Sequence, residues 1–355
     1  MHPNSPSTED RLQGLLLGAA MGDALGLPSE GLTRGRIARL WPGPLRHRFI
    51  AGRGMGSDDT EHLVFTTLSL LRARGDVELF QTTLAGHLKR WLLLFPAGVG
   101  LATARSIIKL WLGWKPGNNG VFSAGNGPGM RSSIIGAFFA HDPVLMRQFV
   151  AASTRLTHTD PKALTGAHSL AQAAAWILSG NEHAADLFKS WSSLSSDAEW
   201  LHAVKLMQSS LIANRSVSDL AIELGSAQRV SGYIYRSVPV ALYAWLRHRG
   251  DFTATLTEVV HCGGDTDTTA AMAGALAGLD VGIGGIPSGW IQGWCDWPVT
   301  RCYLLDLGRI MAMAPETTAP TSRPSFPSWI QVLPRNLGFL LVVLFHGFRR
   351  LFPPY

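Results

Sequence analysis

Apolar residues recur at three- and four-residue spacing along most of this chain, and sustained period-two alternation is scarce. That periodicity restricts the chain to helices packed on helices. Leu12, Leu15, Leu16 and Ala19 share a face behind Ser7 and Asp10, which resemble a capping box. Residues 59–74 predict a second helix: Leu63, Thr67, Leu70 and Leu71 share a face. Arg72 and Arg74 sit at its favourable C-terminal end, and Gly75 can end it. The same spacing predicts helices over 77–95, 132–140, 143–154, 162–179, 198–213, 216–224, 233–248, 254–262 and 267–279, with short Gly, Pro or Asn breaks between them. The expected class is all-α.

Only 16% of the 355 residues are charged, against roughly 25% in an average globular protein. Hydrophobic residues make up 46%, which excludes a disordered chain and permits a large core. The net charge is +6, but Arg323, Arg335, Arg349 and Arg350 supply +4 of it in the acid-free stretch 320–355. The remaining body is close to neutral, so no nucleic-acid groove is expected along it. Cys262, Cys295 and Cys302 cannot all pair with one another, and none has zinc-site spacing. A reducing, cytoplasmic setting is the simple reading. Glu9 and Asp10 precede the first apolar stretch, unlike a signal peptide, and Asp23 interrupts it, unlike a membrane span.

Seven of the 20 prolines fall in residues 315–355. The expected organisation is a catalytic domain over 1–314 and a Pro-rich linker with a short apolar and basic tail over 315–355. The apolar part, Leu337 to Phe345, is flanked by Arg335 and by Arg349–Arg350. The residues between those arginines would span only about 20 Å as a helix, against a hydrocarbon core of about 30 Å. Two readings stay open: an interfacial helix peripheral to a membrane, or a tail packed on the body or on a second subunit.

Two acidic clusters stand out in so uncharged a body. One is Gly56-Ser57-Asp58-Asp59-Thr60, the other Gly263-Gly264-Asp265-Thr266-Asp267-Thr268, and each precedes a predicted helix. Capping alone requires one such residue, or two in a capping box. Four carboxylates with several hydroxyls exceed that need, and such carboxylates repel unless protonated or bridged by cations. The donors are oxygens, which favour Mg²⁺, Mn²⁺ or Ca²⁺ over Zn²⁺. With Glu30 added there are five potential negative charges, which two divalent ions would nearly balance, as in a binuclear site holding an anionic or polyhydroxy substrate.

These residues carry a resemblance. The chain resembles the ADP-ribosylglycohydrolase family in six ordered motifs over roughly residues 10–312. They are Gly14-x-x-x-Gly18-Ala19-Ala20-x-Gly22-Asp23-Ala24-Leu25-Gly26, Ser57-Asp58-Asp59-Thr60, Gly125-Asn126-Gly127-x-x-Met130-Arg131, Thr157-His158-x-x-Pro161, Gly232-Tyr233 leading to Val238-Pro239-x-Ala241-Leu242, and Gly263 to Thr268 with Gly274. The resemblance implies an orthogonal helical bundle with two Mg²⁺ (or Mn²⁺) ions. It implies Ser57, Asp58, Asp59, Asp265, Asp267 and Thr268 as ligands, with Ser57 where the family usually has Thr. Asp58 or Asp59 would orient the metal-bound water, and Glu30 would be the acid/base candidate. Members acting on ADP-ribosylated arginine tend to have an acid in a stretch like Phe95 to Gly100, and this chain has none there.

The Gly125-Asn126-Gly127 loop reads by itself as a turn; the resemblance implies contact with diphosphate or ribose, with Ser123 as hydroxyl donor. His158 reads alone as a satisfied helix-start histidine and, by resemblance, as a contact near the nucleotide. Arg131 could pair with phosphate or with a structural carboxylate. Tyr233 could stack on adenine or fill the core.

The expected activity is metal-dependent hydrolysis of the glycosidic bond of an ADP-ribosyl group, on a protein side chain or a small ADP-ribose conjugate, releasing ADP-ribose. Two rivals remain: a non-catalytic ADP-ribose-binding relative, and a DxDxT-type phosphatase suggested by Asp265-Thr266-Asp267-Thr268-Thr269. The second rival expects the motif after a strand of an α/β domain.

Overall fold

The computed structural model describes residues 6–314 and 324–353. Part of the expected Pro-rich linker, 315–323, and its Arg323 lie outside the described residues. The chain runs through α1 (Thr8–Gly26), α2 (Arg34–Leu40), α3 (Asp58–Ala73), α4 (Val77–Leu93), α5 (Leu101–Trp111), α6 (Ser133–Phe138), α7 (Pro143–Arg155), α8 (Pro161–Leu178) and α9 (Ala184–Ser192). It continues through α10 (Ala198–Ile212), α11 (Val217–Glu223), α12 (Ile234–Arg247), α13 (Phe252–His261), α14 (Thr266–Val281), α15 (Ser288–Gly293), α16 (Arg301–Met313) and α17 (Trp329–Arg349). Among the described residues, β-pairing is confined to isolated bridges. The all-α expectation holds.

The axis of the molecule is the pair α1 and α14. Every residue from Gly14 to Ser29 is buried, and so is α14 from Thr266 to Leu279 except Thr268. Helices this apolar on all sides belong at the centre of a large core. Gly14, Gly18, Gly22 and Gly26 form one stripe along α1, facing Gly278, Gly274, Ala270 and Thr266 in turn, so the helices run antiparallel with their backbones nearly touching. A Cβ on Gly18 would stand 2.2 Å from the Gly274 carbonyl oxygen, and one on Gly22 2.0 Å from that of Ala270. This pairing brings the C-terminal end of α1, with Asp23 and the following Glu30, to the N-terminus of α14, with Asp265 and Asp267.

Ser7 caps α1 by accepting from the Asp10 N–H (3.1 Å). The Asp10 carboxylate instead accepts from the Ile283 N–H (3.2 Å), which ties the start of α1 to the end of α14. Periodicity left α2, α5, α9, α15 and α16 unassigned. They are short or bury a narrow stripe: α5 exposes Leu101, Ile108 and Trp111, which blurs its pattern.

The tail differs most from expectation. Its helix begins at Trp329, not Leu337, and its 21 residues would run about 31 Å. By length and composition α17 could cross a membrane, so the length argument against a span does not hold. Arg335 does not flank the helix but points inward and is buried. Asp296 accepts from it at both oxygens (2.9 and 2.6 Å), Glu61 lies 3.8 Å away, and Arg335 also donates to the Gly56 carbonyl. Phe339 packs against Phe49 with the rings tilted, and Asn336 donates to the Leu94 carbonyl (2.8 Å). In this structure the tail packs on the body.

Candidate active site

Four loops meet where α1 hands over to α14. The Gly263–Gly264 turn has positive φ at both residues (69° and 86°). A side chain at Gly264 would collide with the Val230 backbone, 1.9 Å from its carbonyl oxygen, so glycine is required here. That tightness serves the site. The Gly264 N–H donates to the Leu32 carbonyl (2.8 Å), the Gly31 N–H to the Gly264 carbonyl (2.7 Å), and the Asp265 N–H to the Val230 carbonyl (2.8 Å). The Glu30 loop, the Arg229–Tyr233 loop and the start of α14 are thereby one unit. Asn126 adds the fourth loop: its side-chain amide donates to Asp265 (2.6 Å) and Ser237 (3.1 Å), and its N–H donates to the Gly232 carbonyl.

The two acidic clusters converge. Asp59 joins them directly, since one of its oxygens accepts from Ser57 (3.2 Å) and from Thr268 (3.1 Å). Asp58, Asp265, Asp267, Thr268 and Glu30 line an open cleft of about 560 Å³ with Ser123, Gly125, Asn126, Gly127 and His158. Ser57 and Asp59 lie buried beneath its floor. Burial first, then neighbouring carboxylates, raises the pKa values of Asp58, Asp59 and Asp267 well above the usual range. Burial and the nearby Asp265 also raise Glu30. Burial raises Asp265 too, while the Asn126 hydrogen bond opposes that shift.

The donor chemistry can be tested against a metal. Asp23, Asp59 and Asp267 each keep one buried carboxylate oxygen with no hydrogen-bond partner. Buried carboxylate oxygens are seldom left so, and a hard divalent cation is what such oxygens suit. The residues therefore fit the expected ions in chemistry. They are not drawn into a closed cage, for no three His, Cys, Asp or Glu side chains among the described residues converge to hold a metal ion.

Not every expected residue faces the cleft. Arg131 is wholly buried behind the glycine loop, donating to Ser153, Thr157 and the Gly127 carbonyl. It supports that loop from behind and presents no donor to a phosphate. His158 lines the cleft, and burial lowers its pKa to about 3, with Arg131 adding to the shift. Tyr233 is half-buried and packs against the core beside Tyr235, with its hydroxyl bonded to Lys162 and Glu199.

Sequence reasoning missed three features. Asp23 is the buried keystone of the Ser57 loop: one oxygen accepts from the Ser57 N–H (2.7 Å), the Thr60 N–H (3.1 Å) and the Thr60 hydroxyl (2.5 Å). An aspartate inside an otherwise apolar helix was the signal. Arg229 is exposed at the cleft and supplies a guanidinium that Arg131 does not. The buried set Glu61, Asp296 and Arg335 gave no local signal, because its members lie far apart in the chain.

An all-helical body built on a glycine-striped helix pair, with carboxylates gathered at one end of it, agrees with the helical bundle that the resemblance implies. The ADP-ribosylglycohydrolase model matches residues 4–320. An uncharacterised protein of Archaeoglobus fulgidus is 31% identical over 297 residues, 81% of this chain and 92% of its own length. The ADP-ribosyl-[dinitrogen reductase] glycohydrolase of Rhodospirillum rubrum is 28% identical over 87% of this chain and 98% of that protein. A solved ADP-ribosylglycohydrolase-related protein complex aligns with a TM-score of 0.64 at 26% identity, covering 86% of this chain and 98% of that one. The chain belongs to the ADP-ribosylglycohydrolase family, and it is a glycosidic-bond hydrolase. The DxDxT motif lies at the N-terminus of α14 with no sheet among the described residues, so the phosphatase reading loses its structural context.

Proposed function

We propose that the protein hydrolyses the C1″ glycosidic bond of an ADP-ribosyl conjugate whose acceptor is not arginine, with two Mg²⁺ or Mn²⁺ ions as cofactors. The observation that carries this reading is the meeting of both acidic clusters in one cleft with the Gly125–Gly127 loop, whose Asn126 bonds to Asp265. Ser57, Asp58, Asp59, Asp265, Asp267 and Thr268 would hold the ions, which when bound supply Lewis-acid activation of water and a clamp for ribose hydroxyls. Asn126 fixes the rotamer of Asp265 by its 2.6 Å bond. Glu30 sits at the mouth of the cleft with its pKa raised by partial desolvation and by Asp265, and is the acid/base candidate. Scission would proceed through oxocarbenium-like charge at C1″, which the surrounding carboxylates favour.

The glycine loop and Ser123 would bind the diphosphate or ribose, with Arg229 as the cationic contact. The neighbouring wall, Gly98 and Gly100 to Thr103, has no acid to receive a guanidinium. The test is a panel of serine-linked, arginine-linked and O-acetyl ADP-ribose with Mg²⁺, using Asp58→Ala and Asp265→Ala as controls. Release of ADP-ribose from the serine or acetyl conjugate, exceeding that from arginine and lost in both variants, is expected. Tight ADP-ribose binding without turnover of any conjugate would replace this reading with the non-catalytic one.

A further inference from the structure

The outer face of α17 is an uninterrupted apolar stripe. Ile330, Leu337, Leu341, Leu344, Phe345 and Phe348 fall on one side at helical spacing and are exposed, Ile330 to 88% and Phe345 to 64%. The opposite side, with Val332, Arg335, Asn336 and Phe339, is buried against the body. A stripe of this length exceeds the scattered apolar residues that a soluble surface carries, and marks a contact site.

Charge identifies what covers it. Residues 324–353 contain Arg335, Arg349 and Arg350 and no acid. The C-terminal end of α17 lies against α2. There Arg36 and Arg350 donate to the Arg350 and Pro28 carbonyls, while Arg349 and, on α2, Arg39 are exposed. An apolar helix face ending beside the exposed Arg349 and Arg39, on a segment with no acid, complements an anionic lipid surface, in which acyl chains take the stripe and headgroups the cations. Orientation follows from the buried side. Turning α17 across a bilayer would strip Arg335 from Asp296 and Glu61 and leave three buried charges unpaired. The helix therefore lies flat while it stays docked.

We infer that α17 is an interfacial anchor that seats the catalytic body on an anionic membrane surface through its Ile330–Phe348 stripe and the exposed Arg349 at its end. This inference is independent of the catalytic reading, because its readout is partitioning and not turnover.

The full-length protein should sediment with phosphatidylcholine vesicles containing phosphatidylglycerol at low salt, and at least about tenfold less with phosphatidylcholine alone. Leu341→Glu with Phe345→Glu should lower partitioning by at least about tenfold more, since it puts two charges on the inserted face. Both side chains are exposed, so helix content by circular dichroism should be retained; Arg349→Glu is a second, milder variant expected to weaken binding only to the anionic vesicles. An alkaline carbonate wash should release the bound protein. Absence of vesicle binding would overturn the inference. So would a dimer in light scattering that the double variant dissociates without any vesicle binding, which would assign the stripe to a second copy. Retention through the alkaline wash until detergent is added would overturn the flat orientation.

Discussion

Asp23 organises the active-site floor through three hydrogen bonds while its other oxygen has no partner. Burial raises its pKa to about 6 against those bonds. Asp23→Ala should lower kcat at least about tenfold, because the Ser57 loop loses its anchor, while unfolding experiments show about 1–3 kcal/mol lost for the unsatisfied donors. The two arginines separate cleanly. Arg229→Ala should raise KM several-fold with little change in thermal stability, whereas Arg131→Ala should yield a destabilised protein, since several buried acceptors lose their donor. His158 supplies the pH prediction. Its folded pKa of about 3 lies below the unfolded value of about 6.5. Its contribution is therefore complete above about pH 6.5 and is lost progressively as the pH falls toward 3. Its imidazole resonances should not titrate between pH 5 and 8, and a titration midpoint in that range would contradict its burial. Ser57, Asp58, Asp59, Asp265, Asp267 and Thr268 were legible as a set because charge is scarce in this chain. The orientation of Arg131 was not, because an arginine beside a glycine loop looks alike whether it faces in or out.

Among the elements, α1 and α14 carry the most specific geometry. Gly18→Ala would insert a methyl 2.2 Å from a backbone oxygen, and no side-chain rearrangement can relieve a backbone clash. Separating the two helices would also part Asp23 and Glu30 from Asp267. Loss of at least about 3 kcal/mol in stability, together with loss of activity, is expected, measured by denaturant unfolding and ADP-ribose release. The glycine spacing was visible in the sequence, but nothing local said which helix it faced. α17 acts at the same scale. Arg335 holds the Gly56 carbonyl and Asp296, and Asp296 accepts from the Gly56 N–H (3.0 Å). The tail thus braces the residue before Ser57. Arg335→Met leaves Asp296 and Glu61 buried without their cation and should cost about 3–5 kcal/mol. Combining it with Asp296→Asn and Glu61→Gln should recover part of that loss in the same unfolding assay.

For the whole molecule, helical periodicity and the ordered motifs together determined class and family, because both are properties of residues near one another in the chain. They also determined the kind of chemistry, since oxygen-rich clusters at helix starts admit few uses in so uncharged a body. Tertiary structure alone decided which acids share a cleft, which arginine reaches it, and that the basic tail reaches back to brace the Ser57 loop. The physical reason is separation: Asp23 and Ser57, Asn126 and Asp265, and Glu61 and Arg335 interact through distances and burial that arise only when helices remote in sequence pack. The charge of +6 shows the same division. Its count is written in the sequence, but its arginines acquire distinct roles, Arg335 buried under the Gly56 loop, Arg350 turned to the Pro28 carbonyl and Arg349 exposed at the end of an apolar face, only in the folded chain.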